Sequence, residues 1–169
     1  VTPVVTSSIV NRSAGETTVV INGFGFSSIN ANNVVTFNRD AVGTVTLASP
    51  TSLTVTFSRR PSSAGPLTAS VTSNGVTSGA PVTVATIAPV ITANNAYQIS
   101  ANASSLIING LGFSTTPGSN LVTFNNGAIG NVEAATETQL TVALTTPPTS
   151  AGPLNATLTI NGVSGGSAT

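Results

Sequence analysis

Apolar and polar residues alternate along this chain in short runs divided by turn residues, and no stretch repeats its apolar positions at helical spacing. In Leu53-Thr54-Val55-Thr56-Phe57 the apolar side chains take one face of a strand and the two threonines the other. The same alternation predicts strands at Thr17–Asn22, Asn33–Asn38, Gly43–Ala48, Ser52–Ser58, Pro66–Ser73 and Val82–Thr86, after an opening strand around Pro3–Val10. Pro61 and Pro66 bracket Ser62–Gly65 as a loop, and Asn74-Gly75 is a hairpin dipeptide expected to join the penultimate strand to the last.

The second half of the chain repeats the first. Asn22-Gly23-Phe24-Gly25-Phe26 returns as Asn109-Gly110-Leu111-Gly112-Phe113, an offset of 87 residues. At that offset Ser63-Ala64-Gly65-Pro66-Leu67 returns unchanged as Ser150-Ala151-Gly152-Pro153-Leu154, and about half of all positions between Ser13 and Gly79 are identical. The second set of strands is expected at Ser105–Asn109, Asn120–Asn125, Gly130–Ala135, Gln139–Thr145 and Pro153–Ile160, with Asn161-Gly162 as its hairpin. A repeat this long is a whole small domain. About seven short strands per repeat, with turns about every 8–12 residues, predict an all-β chain of two tandem immunoglobulin-like sandwiches, 1–87 and 88–169.

Two expectations concern the ends of the repeats. The junction Thr86-Ile87-Ala88-Pro89-Val90 is short and lacks glycine, which predicts a semi-rigid, elongated pair. The expected last strand, Ala80–Thr86, maps by the offset onto 167–173, whereas the sequence stops at Thr169. Most of a strand is then expected to be missing from the second repeat, either because the sequence is a piece of a longer one or because another chain supplies the strand.

Composition narrows the function. Charged residues are 5% of the chain, and four arginines balance four acids with no lysine or histidine. That neutrality removes the electrostatic term on which nucleic-acid binding rests, and it leaves no polybasic patch for a membrane surface. No apolar run approaches the roughly 20 residues of a spanning helix, so membrane insertion is not expected. With no cysteine, thiolate chemistry, disulfides and zinc-thiolate sites are excluded. The many serines and threonines have no histidine, cysteine or lysine to activate them, so no catalytic residue is assigned.

The candidate sites are sparse. Glu16, Asp40, Glu133 and Glu137 are read as solvated acids; Asp40 beside Asn38 is too thin a cluster for calcium, and no metal or cofactor is expected. Gly23-Phe24-Gly25 lacks the helix and lysine of a phosphate loop and is read as a turn with an inward Phe. Arg59 and Arg60 have no counterpart in the second repeat, where Thr146 and Pro147 stand; they and Tyr97, the one tyrosine, are candidates for a ligand or interdomain contact. Asn11-Arg12-Ser13, Asn102-Ala103-Ser104 and Asn155-Ala156-Thr157 match the N-glycosylation triplet, which arises readily by chance in so Asn-rich a chain. Phe26, Phe113, Phe37 and Phe124 recur as pairs and are expected in the cores.

Pro3, Thr18-Val19-Val20-Ile21-Asn22-Gly23-Phe24-Gly25-Phe26 and Val35-Thr36-Phe37 resemble the IPT/TIG family of immunoglobulin-like domains, as do Pro89, Leu106 through Phe113 and Val122-Thr123-Phe124. The resemblance carries no catalytic residue or cofactor to this chain. It implies a non-catalytic structural or adhesive repeat of a bacterial extracellular or cell-surface protein: a spacer, stalk, surface layer or filament subunit. Its partners would be neighbouring repeats, other copies or a surface glycan. The alternative is a glycan-binding accessory module of a secreted polysaccharide-active enzyme, which would present Tyr97 or Phe24 to solvent beside asparagines.

Overall fold

The computed structural model of the chain describes residues 1–92 and 99–166. The chain divides into two compact units, one formed by Val1–Ser62 with Pro66–Ile87, the other by Ser63–Gly65 with Ala88–Thr169.

The first repeat carries β1 (Val4–Val5), β2 (Asn11–Ser13), β3 (Thr18–Phe24), β4 (Asn33–Phe37), β5 (Val42–Ser49), β6 (Ser52–Arg59), β7 (Gly65–Ser73), β8 (Val76–Thr77) and β9 (Val82–Ala88). They form two sheets, β1-β3-β6-β5 and β2-β9-β7-β4, with β8 paired to the end of β7. The second repeat carries β10 (Val90–Thr92), β11 (Ser105–Leu111), β12 (Asn120–Phe124), β13 (Ile129–Ala135), β14 (Gln139–Thr146), β15 (Ala156–Ile160) and β16 (Val163–Ser164). Its sheets are β10-β11-β14-β13 and β12-β15-β16. Each repeat is thus an immunoglobulin-like β-sandwich, as the alternation predicts.

The cores are aliphatic. Val19 and Ile21 on β3 stand opposite Val55 and Leu53 on β6, and all four are buried with Leu67, Ala69 and Val71 of β7. In the second repeat Ile108, Leu140, Val142, Leu158 and Ile160 form one buried cluster around Phe113. Burying one such Leu or Ile side chain is worth about 1.5–3 kcal/mol, so these aliphatic layers supply most of the driving force, with Phe26 and Phe113 as the buried aromatics. The pairing register shifts between Val45 and Leu47 and again between Val132 and Ala134, which places a bulge at Thr46 and at Glu133.

Three details differ from the sequence reading. The opening segment is two strands: Thr6 N–H donates to Asn22 O, and Ser8 N–H to Thr83 O, so the chain changes sheets over residues 6–10. Asn74-Gly75 leads from β7 into the two-residue β8, not into the last strand β9. Phe26 and Phe113 are buried, but Phe37 and Phe124 are only half-buried, and the Phe37 ring lies 5.5 Å from that of Phe57 at a tilt of 59°. The counterpart of β9 (Val82–Ala88) in the second repeat would begin at residue 169, outside the described residues.

The paired glycines of each corner have separate reasons. A methyl group at Gly23 would collide with the Val4 carbonyl oxygen and the Phe26 ring; at Gly110 it would meet the Val90 carbonyl oxygen and the Phe113 ring. The second glycine supplies a left-handed turn, with φ of 74° at Gly25 and 77° at Gly112. Replacing Gly110 by Ala should therefore destabilise the second unit by about 3 kcal/mol, at the upper end of overpacking costs. Urea unfolding of the variant against the parent chain measures it, with a loss below about 1 kcal/mol counting against the packing argument.

Candidate functional site

Past each glycine corner the chain makes a loop and a single 3-10 turn, at Asn30–Asn32 and Pro117–Ser119, before the next strand. One buried asparagine satisfies the loop backbone. Asn33 Nδ2 donates to Ser27 O (2.8 Å) and Ile29 O (3.1 Å), while its Oδ1 accepts from Ser27 N (3.1 Å) and Ser73 Oγ (2.9 Å). Asn120 does the same for the second repeat, donating to Ser114 O (2.9 Å) and Thr116 O (3.0 Å) and accepting from Ser114 N (2.9 Å). Ser73 has become the apolar Ile160 there, and Asn120 Nδ2 lies 3.4 Å from Pro117 O. Among the described residues no buried side-chain polar atom lacks a partner. Sequence reasoning passed over both asparagines, although their recurrence at the repeat offset was visible.

At the other end of each sandwich, Asn38 Nδ2 donates to Pro66 O and its Oδ1 accepts from Thr68 N. Asn125 repeats this with Pro153 O and Asn155 N. The next two residues both have positive φ: 55° and 54° for Arg39 and Asp40, 52° and 69° for Asn126 and Gly127. Asn-Gly is suited to that turn, whereas Arg-Asp is strained in it. Arg39 Nε and Asn126 Nδ2 make the same bond, to Pro66 O (2.9 Å) and Pro153 O (3.1 Å). Burial pulls the Arg39 guanidinium below the usual arginine range, yet the group remains cationic at physiological pH.

The following loop is a third repeated feature. Ser62 N–H donates to Arg39 O and Thr149 N–H to Asn126 O, each at 2.9 Å, and the glycines that close the loop, Gly65 and Gly152, have φ of 130° and 140°. Ala64 is wholly buried and belongs to the second unit's core cluster. Its N–H donates to Gly112 O (2.8 Å), and its carbonyl accepts from Asn161 Nδ2 (2.9 Å). Its counterpart Ala151 is exposed.

The sequence-predicted candidates do not converge. Arg59 lies 4.0 Å from Asp40, both well exposed, a geometry that contributes little to stability. Arg60 is exposed on the segment after β6. Tyr97 lies outside the described residues. Phe24 is 64% exposed at the end of β3 and pairs with exposed Val4 on β1, so it points outward and not inward as the sequence predicts. Glu16 accepts from Ser13 N and pairs with Arg12 at 3.5 Å; Glu133 sits at the bulge. No group of three potential metal-ligating side chains occurs among the described residues.

A model of the IPT/TIG domain family matches residues 89–169. These residues form an IPT/TIG domain. The first repeat has the same glycine corner and the same buried asparagine, and its strands β1-β3-β6-β5 follow the order of β10-β11-β14-β13. No match was found among the curated proteins. Among solved structures, a structural genomics protein of unknown function from Bacteroides thetaiotaomicron VPI-5482 is 12% identical with a TM-score of 0.41, covering 95% of this chain and 46% of that one. The chain thus spans less than half of that protein. Domains 5–6 of the S-layer protein SbsC are 14% identical with a TM-score of 0.29, covering 98% of this chain and 95% of theirs. Immunoglobulin domains 1–4 of Sidekick-1 are 14% identical with a TM-score of 0.27, covering 98% and 47%.

Two stability effects follow. Asn33→Ala strands the Ser27 and Ile29 backbone groups and should cost the first unit about 3 kcal/mol, read by chemical denaturation. The double change Arg39→Asn with Asp40→Gly imports the relaxed turn and should instead stabilise that unit by about 1 kcal/mol. A melting temperature lowered by the double change would contradict the strain assignment.

Proposed function

We propose that this chain is a non-catalytic structural or adhesive segment of a bacterial extracellular array, a spacer, stalk or filament element built from IPT/TIG-type modules. The observation that supports it best is where the polar groups go. The buried asparagines Asn33 and Asn120 and the turn asparagines Asn38 and Asn125 are all engaged in holding backbone, in both repeats and in the same way. The charged residues Arg39, Asp40, Arg59 and Arg60 have the uncharged counterparts Asn126, Gly127, Thr146 and Pro147, so no charged constellation recurs from module to module. A hydroxyl-rich, nearly charge-free surface also suits dense assembly, since like-charge repulsion between neighbours is weak.

The second reading, a glycan-binding accessory module, is favoured by one observation: the exposed Phe24 ring beside Val4, with Asn22 on the same strand. Sugar rings stack on such apolar faces. A glycan array followed by isothermal titration separates the two readings. The array reading expects no glycan bound more tightly than about 1 mM. Micromolar binding that Phe24→Ala abolishes would establish the second reading instead.

A further inference from the structure

The second unit is assembled from two pieces of chain, Ser63–Gly65 and Ala88–Thr169. The short piece lies where β6 passes into β7, so strands of the first sandwich hold both of its ends. Ala64 at its centre has no exposed surface and packs in the cluster that contains Ile108, Phe113 and Ile160. Its N–H donates to Gly112 O (2.8 Å) and its carbonyl accepts from Asn161 Nδ2 (2.9 Å), so both buried backbone groups are paired.

The loop takes its shape from the sandwich that carries it. Ser62 N–H donates to Arg39 O at 2.9 Å, and Gly65 closes the loop with φ of 130°. The loop at Ser150–Gly152 has the same bond, Thr149 N–H to Asn126 O at 2.9 Å, and the same closing glycine, with φ of 140° at Gly152. Yet Ala151 is exposed where Ala64 is buried. A shape that is the same with and without a burial site is not imposed by that site.

We infer that Gly112, Asn161 and the core around Phe113 form a binding site for a Ser-Ala-Gly loop, and that its occupant Ser63–Gly65 makes the stability of each sandwich depend on the other. While the first sandwich is folded, the loop enters the site already shaped, and little ordering cost opposes its two hydrogen bonds. Once that sandwich unfolds, the same residues must be ordered from a flexible chain, and much of the gain is lost. The site selects for alanine: a larger side chain would overpack a position with no exposed surface, and proline would lack the N–H that Gly112 O accepts. Such a coupling is reciprocal, so each sandwich stabilises the other by the same factor. Along an array it gives nearest-neighbour cooperativity without a covalent cross-link.

The coupling goes beyond the array reading and does not rest on it. A tight glycan ligand would overturn that reading and leave the coupling, while independent sandwiches would do the reverse. Amide-resolved hydrogen exchange on the whole chain tests it, with the core amides of Ile21 and Leu53 reporting on the first unit and those of Leu140 and Leu158 on the second. Asn161→Gly keeps the left-handed turn and removes the donor to Ala64 O. It should speed exchange at Ile21 and Leu53 about tenfold, the effect of one hydrogen bond, although no residue of the first unit is altered. Ala64→Arg does not fit the buried site and should speed exchange at Leu140 and Leu158 by at least as much. Exchange at Ile21 and Leu53 that Asn161→Gly leaves unchanged overturns the inference. So does an Ala64→Arg chain that loses protection only at Ile21 and Leu53, which would make Ala64 a part of its own sandwich alone.

Discussion

Loop backbone that no strand ladder can reach is the constraint on which both sandwiches depend. The glycine corner turns the chain over the buried Phe26 or Phe113, and the loop that follows is exposed but is tied at its neck, through Ser27 and Ile29 or Ser114 and Thr116, to the buried side chain of Asn33 or Asn120. A buried polar group without a partner costs about 1–3 kcal/mol, and at each corner the buried asparagine amide would be such a group without the loop backbone. Asn33 and Asn120 answer this with one side chain apiece, because a carboxamide can donate and accept at once. An aliphatic core supplies the driving force, but the asparagine makes the corner affordable and so fixes where the corner lies.

The corner in turn sets the surface features. Holding Ser27 or Ser114 fixes the exit of the corner, where Gly25 and Gly112 take up the left-handed turn. The same economy runs through the opposite end, where Asn38 and Asn125 pin the chain to Pro66 and Pro153 and hold the Ser-Ala-Gly loop in one shape. With charge at 5% of residues, amide and hydroxyl groups perform the fastening that ion pairs often share elsewhere.

The main strands were legible in the sequence because alternation of Val, Ile, Leu and Thr is a direct image of burial on one sheet face, as Leu53 through Phe57 show. The split of the opening segment was not, since a strand that changes sheets reverses no pattern that alternation can reveal. The short β8 after Asn74-Gly75 escaped for a related reason: two residues are too few to alternate. Of the candidate sites, Arg59 and Arg60 stood out as departures from the repeat, whereas the buried asparagines were overlooked because an isolated Asn in sequence looks like a turn residue. Burial is what distinguishes them, and burial is a tertiary property.

Hydrogen exchange at the two asparagine side chains tests the account most directly. The Nδ2 protons of Asn33 and Asn120, followed by amide-resolved NMR, should be protected to the level of the slowest core amides of their own units, such as those of Ile21 and Leu140. Side-chain protons that exchange at the rate of an exposed asparagine, while those core amides remain protected, would contradict it.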